Sequence, residues 1–314
     1  MGDWIALLRA ESLKIGRRRL GWLLLLALMA AFVVHARNLN TDRLDYHQAQ
    51  ASGSGRFGQW IMPESAQAAE AELVRRMTFP GFLDELWVIT GFWGPFAAVI
   101  LAAIHMGEEY EGGTIRTLMV RGPSRNAWFT AKIAALFLAV GAAWLLLALE
   151  GGLLGLWTSH QATGGVNLSA VGTGHLLAHA ARLLRSWSAT LPYLAFASAA
   201  GILARAAGPA LALGLGARFA EVISGTAGQF LVGFGMGMEG LGAKIYRLWA
   251  PLHVATMEWN ARVWSTWGAP YDLPLELPSP LHTSPGLAAL ILLAWTAVWV
   301  GLALRTLHRR DITG

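Results

Sequence analysis

Residues 108–132, EEYEGGTIRTLMVRGPSRNAWFTAK, form a charged island between two helix-length apolar runs. Upstream, residues 88–106 carry only Thr90 and His105 as polar side chains, and downstream residues 133–157 carry one charge, Glu150. At about 1.5 Å of rise per residue each run suits a hydrocarbon layer about 30 Å thick. The island holds Glu108, Glu109, Glu111, Arg116, Arg121, Arg125 and Lys132, so it belongs in water. The stretch therefore predicts two membrane spans joined by a short water-facing segment.

The same reading extends over the chain. Its 314 residues are 55% hydrophobic and 14% charged, and the mean hydropathy is +0.46, too apolar for an ordinary soluble domain. Runs with few charges occur at 20–35, 88–106, 133–157, 188–204, 209–236 and 286–304. The predicted fold is an all-α integral membrane protein: one transmembrane domain over 1–314 with six transmembrane helices, an interfacial helix at 1–19 and helical outer segments at 37–85 and 237–284. Arg17, Arg18 and Arg19 before the first run, with Val34-His35-Ala36 after it, also fit a cleaved signal peptide. The leader is long for that purpose. Trp4, Ile5, Leu8 and Ile15 fall on one side of a helix, the pattern of a helix lying at the interface.

Basic residues set the expected orientation. With both termini inside, the cytoplasmic segments hold thirteen of the 24 Lys and Arg residues, from Arg9, Lys14 and Arg17–Arg19 through the island to Arg205, Arg305, Arg309 and Arg310. Those segments are short, so their basic density exceeds that of the long outer ones, as the positive-inside rule requires. The net charge of +5 follows from these flanks and suits membrane lipid rather than nucleic acid. With no cysteine in the chain, thiolate metal sites and disulfides are excluded.

The first outer segment begins polar at Ala51-Ser52-Gly53-Ser54-Gly55, continues as an amphipathic helix over 66–77 that stops near Pro80-Gly81, and reads as a solvated connector. In the last outer segment Tyr246, Trp249, Trp259, Trp264, Trp267 and Tyr271 predict short helices along the membrane face, an interfacial belt.

No catalytic constellation is present. The chain has no Gly-x4-Gly-Lys-Ser/Thr loop for nucleotide phosphates, no His-Glu-x-x-His pair and no Gly-x-Ser-x-Gly elbow. His175 and His179 share a helix face but lack a third ligand, so no metal site is expected. The intramembrane charges draw more attention, since each costs about 2.5–3.5 kcal/mol at a span centre unless paired or hydrated. Arg218 and Glu221, one turn apart, can neutralise each other or line a path, while Glu150 stands alone.

In the island, Thr114 can cap a short helix through Val120 that Gly122-Pro123 stops. Acid precedes this helix and base follows it, offering Arg116, Arg121 and Arg125 to a soluble partner.

Three places in the chain resemble the membrane (permease) subunit of type 2 ABC exporters. The leader Glu11-Ser-Leu-Lys14-Ile-Gly-Arg-Arg-Arg19 resembles that family's basic interfacial lead-in. The island resembles its acidic, Gly-Thr-containing signature followed by Pro-Ser-Arg, here Glu108, Glu111, Gly113, Thr114, Leu118, Pro123, Ser124, Arg125 and Lys132. Leu307-His308-Arg309-Arg310-Asp311-Ile312 resembles its Arg-Arg-Asp ending. The long outer segments depart from shorter family members. The resemblance implies a non-enzymatic transport subunit, multi-pass in a bacterial cytoplasmic membrane, exporting its cargo by alternating access, and the aromatic, low-charge spans suggest that this cargo is apolar or amphipathic. It also implies a coupling helix at 114–121 that docks on a separate ATPase carrying ATP and Mg, and a second six-span subunit. It marks Glu108, Glu111, Gly113, Thr114, Arg116, Leu118, Arg121 and Arg125 as ATPase-coupling residues. Beside it the residues leave open an ATP-independent secondary transporter or membrane-embedded chaperone using Arg218 and Glu221, or a lipid enzyme using His175 and His179.

Overall fold

A computed structural model describes residues 2–52, 63–115, 117, 123–166, 171–235, 241–267 and 283–309. Among them the chain is helical apart from short connections and contains no strand: α1 (Gly2–Arg17), α2 (Arg19–Ser52), α3 (Pro63–Met77), a 3-10 turn (Gly81–Glu85), a π-helical turn (Val88–Trp93), α4 (Gly94–Glu111), α5 (Arg125–Thr163), α6 (Thr173–Ser188), α7 (Leu191–Ala204), α8 (Ala207–Gly235), α9 (Leu241–Val254), α10 (Met257–Thr266) and α11 (Pro285–Arg309). The expected all-helical class holds.

Among the described residues, five helical stretches are long and apolar enough to cross a membrane: Arg19–Gln48, Gly81–Glu111, Arg125–Thr163, Thr173–Ala204 and Pro285–Arg309. The stretch expected to be the fifth of six spans is a 29-residue helix, α8, but it is not among the five, and Arg218, Glu221 and its glycines dilute its apolarity. Helix ends also differ from expectation. Residues 37–52, expected to lie in the outer segment beyond the first span, continue α2 without a break to Ser52 because neither Gly nor Pro interrupts them. Apolarity marks where hydrocarbon ends, whereas helix ends follow backbone chemistry.

Chain contacts divide the protein into two compact units, residues 1–22, 91–141 and 184–314 in one, 23–90 and 142–183 in the other. In the first unit α7 is central. Its residues are apolar on every side, as a helix enclosed by others must be, and it packs against α4, α8 and α11. Pro192 sits in its first turn, where a missing N–H costs nothing. Met106, Ile115, Trp128, Phe129, Ile133, Ala199, Ile202, Ala303 and Leu307 form a core shared by α4, α5, α7 and α11. Gly107 lets α4 meet the start of α8: a Cβ there would lie 2.4 Å from the Ala207 Cα.

In the second unit, residues 76–85, at the end of the first outer segment, are held by specific bonds, more than a solvated connector requires. Thr158 Oγ1 donates to the Met77 carbonyl at 2.6 Å, the Phe79 N–H donates to Ser159 Oγ at 2.7 Å, and the Phe32 and Phe82 rings stack at 5.3 Å. Glu85 is buried, taking two bonds of 2.7 Å from Arg76 and lying 2.8 Å from His35 Nε2. Such pairing over large sequence separations is invisible to a composition-based reading.

Candidate functional site

Local chemistry fixes both roots of the charged island. At the first, α4 runs out at Gly112-Gly113, and Gly113 has φ 63, a left-handed backbone that suits glycine as a helix terminator. The Gly112 and Gly113 N–H groups close the turn on the Glu108 and Tyr110 carbonyls at 2.9 and 3.1 Å. At the second root Ser124 Oγ accepts the Ala127 N–H at 3.2 Å, capping α5. Between the roots Ile115 is 2% exposed and anchored in the core, while Gly113, Thr114 and Thr117 are exposed. Arg116, Leu118 and Arg121 lie outside the described residues.

The other island residues marked for coupling have intramolecular partners. Glu108 pairs with Arg18 at the α1–α2 joint. Glu111 Oε1 accepts the Ala207 N–H at 3.0 Å, placing a carboxylate at the N-terminus of α8, where the helix dipole favours it. Arg125 Nη1 donates to the Leu307 carbonyl and to the His308 carbonyl at 3.3 Å, satisfying acceptors at the C-terminal end of α11. The island charges thus tie α1, α8 and α11 to its roots.

Beneath the island lies a buried charge cluster that the sequence reading did not assemble. Lys132 is fully buried, Glu11 is 1% exposed and Glu109 3%. Lys132 Nζ lies 2.7 Å from Glu11 Oε2 and 2.7 Å from Glu109 Oε1. Lys14 Nζ bridges the same two carboxylates at 2.8 and 3.0 Å. His105 Nε2 is 3.6 Å from Glu11 Oε2. Burial alone raises the pKa of Glu11, but the His105, Lys132 and Lys14 contacts outweigh it and hold the carboxyl well below its ordinary range. Burial likewise lowers that of Lys14, and its contacts with Glu11 and Glu109 raise it further than burial depresses it. Ligand atoms of Glu11, His105 and Glu109 fall within 4.8 Å of one another, yet two ammonium groups already supply the positive charge a metal would bring. The spacing of His105 and Glu109, four apart at the end of an apolar run, is the signal that could have found this face.

A second cluster sits farther along the first unit. Arg218 is 2% exposed, its guanidinium 5.1 Å from the Phe96 ring centroid and 5.4 Å from that of Tyr193. Its closest approach to Glu221 is 3.6 Å. Glu221 takes better bonds elsewhere, from Tyr193 Oη at 3.2 Å and the Met257 N–H at 3.0 Å, so the pair expected from sequence is only part of the arrangement. Glu258 of α10 completes it: burial drives the Glu258 pKa up, and the attraction of Arg218 offsets only part of that rise. Burial and then Arg262 lower His253, beside it, to about 4. Arg218 Nε and Nη1 and Glu258 Oε2 are buried without hydrogen bonds among the described residues. Trp259, read as part of an interfacial belt, is buried against Ala250, Val263 and Ala288.

The remaining candidates stand apart. Glu150 Oε2, in α5, is buried without a hydrogen-bond partner among the described residues. His179 lies 3.1 Å from Asp84 and accepts from Arg182 at 2.9 Å, whereas His175 is exposed, so the two histidines face different surroundings.

Residues 5–312 match the family described as ABC-2 family transporter protein. No curated protein matches the chain.

Proposed function

Because the chain belongs to the ABC-2 family of transporter proteins, a family of transport membrane components, we propose that it is the permease subunit of an ATP-driven exporter. A separate ATPase docks on the island and drives the spans. The observation that carries this reading is the construction of the island. Its roots are fixed by Ile115, Arg18–Glu108, Glu111–Ala207 and Arg125–Leu307, while Thr114 and Thr117 face outward. A surface clamped to several helices at once is suited to pass a push from a partner to all of them.

In this reading both termini and the island face the cytoplasm of a bacterial cell, residues 37–85 and 237–284 face outward, and α8 completes a set of six spans. ATP and Mg are held by the ATPase. A second six-span subunit encloses the path, and the cargo is apolar or amphipathic and moves by alternating access. Arg116→Glu with Arg121→Glu tests the docking face. The double variant is expected to insert normally and to lose ATPase co-purification, with a partial loss if the pairs are solvent-exposed. Undiminished co-purification would overturn the assignment of this face.

A further inference from the structure

Resting on the reading of the island as a docking surface, we infer that Lys132 is a positioning residue that locks the N-terminal helix α1 to both roots of the island, so that these parts move as one body. The arrangement is a square of charges. Two ammonium groups, Lys14 and Lys132, each touch two carboxylates, Glu11 and Glu109, at 2.7–3.0 Å. The four residues come from three elements. Glu11 and Lys14 lie on α1, Glu109 in the last turn of α4, and Lys132 in the second turn of α5.

The square is stiff because of where it lies. Lys132 is inaccessible to solvent and Glu11 and Glu109 nearly so, with Lys14 the partly exposed corner, so water cannot replace a broken contact of Lys132. Sliding α1 past α4, or parting α4 from α5, strands a buried charge, which is far more costly than breaking an exposed pair. The Lys132 ammonium also faces the Trp128 ring, 5.5 Å from its centroid, which narrows its choice of position. Trp4 Nε1 donates to Thr130 Oγ1 at 3.1 Å, a second tie between α1 and α5. The amphipathic leader is therefore part of the coupling machinery as well as a surface anchor, and any displacement of the island carries it along.

The absence of cysteine makes the test direct. Arg9 and Asn126 are exposed on α1 and α5. Spin labels on Arg9→Cys and Asn126→Cys report their separation by pulsed electron resonance, in nanodiscs holding the chain with its co-purified ATPase. The expected result is one narrow distance, unchanged between the nucleotide-free and the ATP–vanadate-trapped complex. Lys132→Met broadens it about twofold, as loss of a buried pair frees α1. Lys132→Arg, which keeps the charge, stays close to wild type. If Lys132→Met does not fold, Glu11→Gln, which removes one corner, is expected to give the same broadening. A wild-type distance that shifts on trapping, or a Lys132→Met or Glu11→Gln distribution as narrow as wild type, overturns the proposal. The nucleotide-free comparison needs no ATPase, so failure of the docking reading, seen as a wild type that brings down no ATPase, is told apart from failure of the lock.

Discussion

Gly107→Ala tests the joint between α4 and α8. An added Cβ would lie 2.4 Å from both the Cα and N of Ala207 and 2.7 Å from the Ala206 carbonyl carbon. All three are backbone atoms, which cannot swing aside, so the helices must part by about 1 Å to reach ordinary contact. Overpacking of this kind costs about 1–3 kcal/mol, and the better helix propensity of alanine returns about 1 kcal/mol. The net loss is up to about 2 kcal/mol, and separation also strains the Glu111–Ala207 bond at 3.0 Å. For a chain of this size that is a fall of up to about 3 °C in the unfolding midpoint. The assay is thermal unfolding in detergent, followed by size-exclusion yield, with Gly216→Ala as the internal control. Gly216 lies in α8, and a Cβ added there would meet nothing within 4 Å, so alanine leaves the midpoint unchanged or raises it. A Gly107→Ala midpoint at or above that of the control would refute the close approach.

Further expectations follow from the charge clusters and the orientation. Arg218→Met leaves Glu221 and Glu258 without their buried cation and is expected to cost about 3–5 kcal/mol. Adding Glu258→Gln should recover part of it, measured by the same unfolding assay, and no recovery would refute pairing between α8 and α10. Glu11 is held below its ordinary carboxyl pKa of 4.5, so its contribution is complete above that value and is lost as pH falls below it. Wild type should therefore lose stability between about pH 5 and 3 more steeply than Glu11→Gln, and parallel curves would refute the linkage. Tags at Ser54 and Gly122 should report opposite sides of the membrane, and finding them on the same side would end the proposed topology.

Hydrocarbon-length apolar runs were legible in the sequence because lipid acts on composition, and composition can be read directly. Helix ends were less so. Residues 37–52 and 158–163 are polar enough to leave a membrane yet lack a helix breaker, so α2 and α5 run on. The island's chemistry was partly legible. Glu108, Glu111 and Arg125 stood out as charges, but their partners Arg18, Ala207 and Leu307 come from elements far away in the chain. Lys132 and Glu11 are 121 residues apart, and no local pattern pairs them. Among three neighbouring acids, only the packing of α1 decides that Glu109 is the buried one. Glu258 was hidden for a related reason, since its aromatic neighbours read as a surface belt until the docking of α10 buries Trp259.

The central claim, that the island docks an ATPase on the cytoplasmic side, is tested most directly by cross-linking from Thr117, which is exposed in the island. In a chain with no cysteine of its own, Thr117→Cys carries a maleimide–benzophenone probe at one place only. The account predicts a light-dependent adduct with a subunit that bears a nucleotide-binding loop, and no reaction of the cysteine with an impermeant maleimide added outside intact cells. Labelling from outside, with no such adduct, would contradict it.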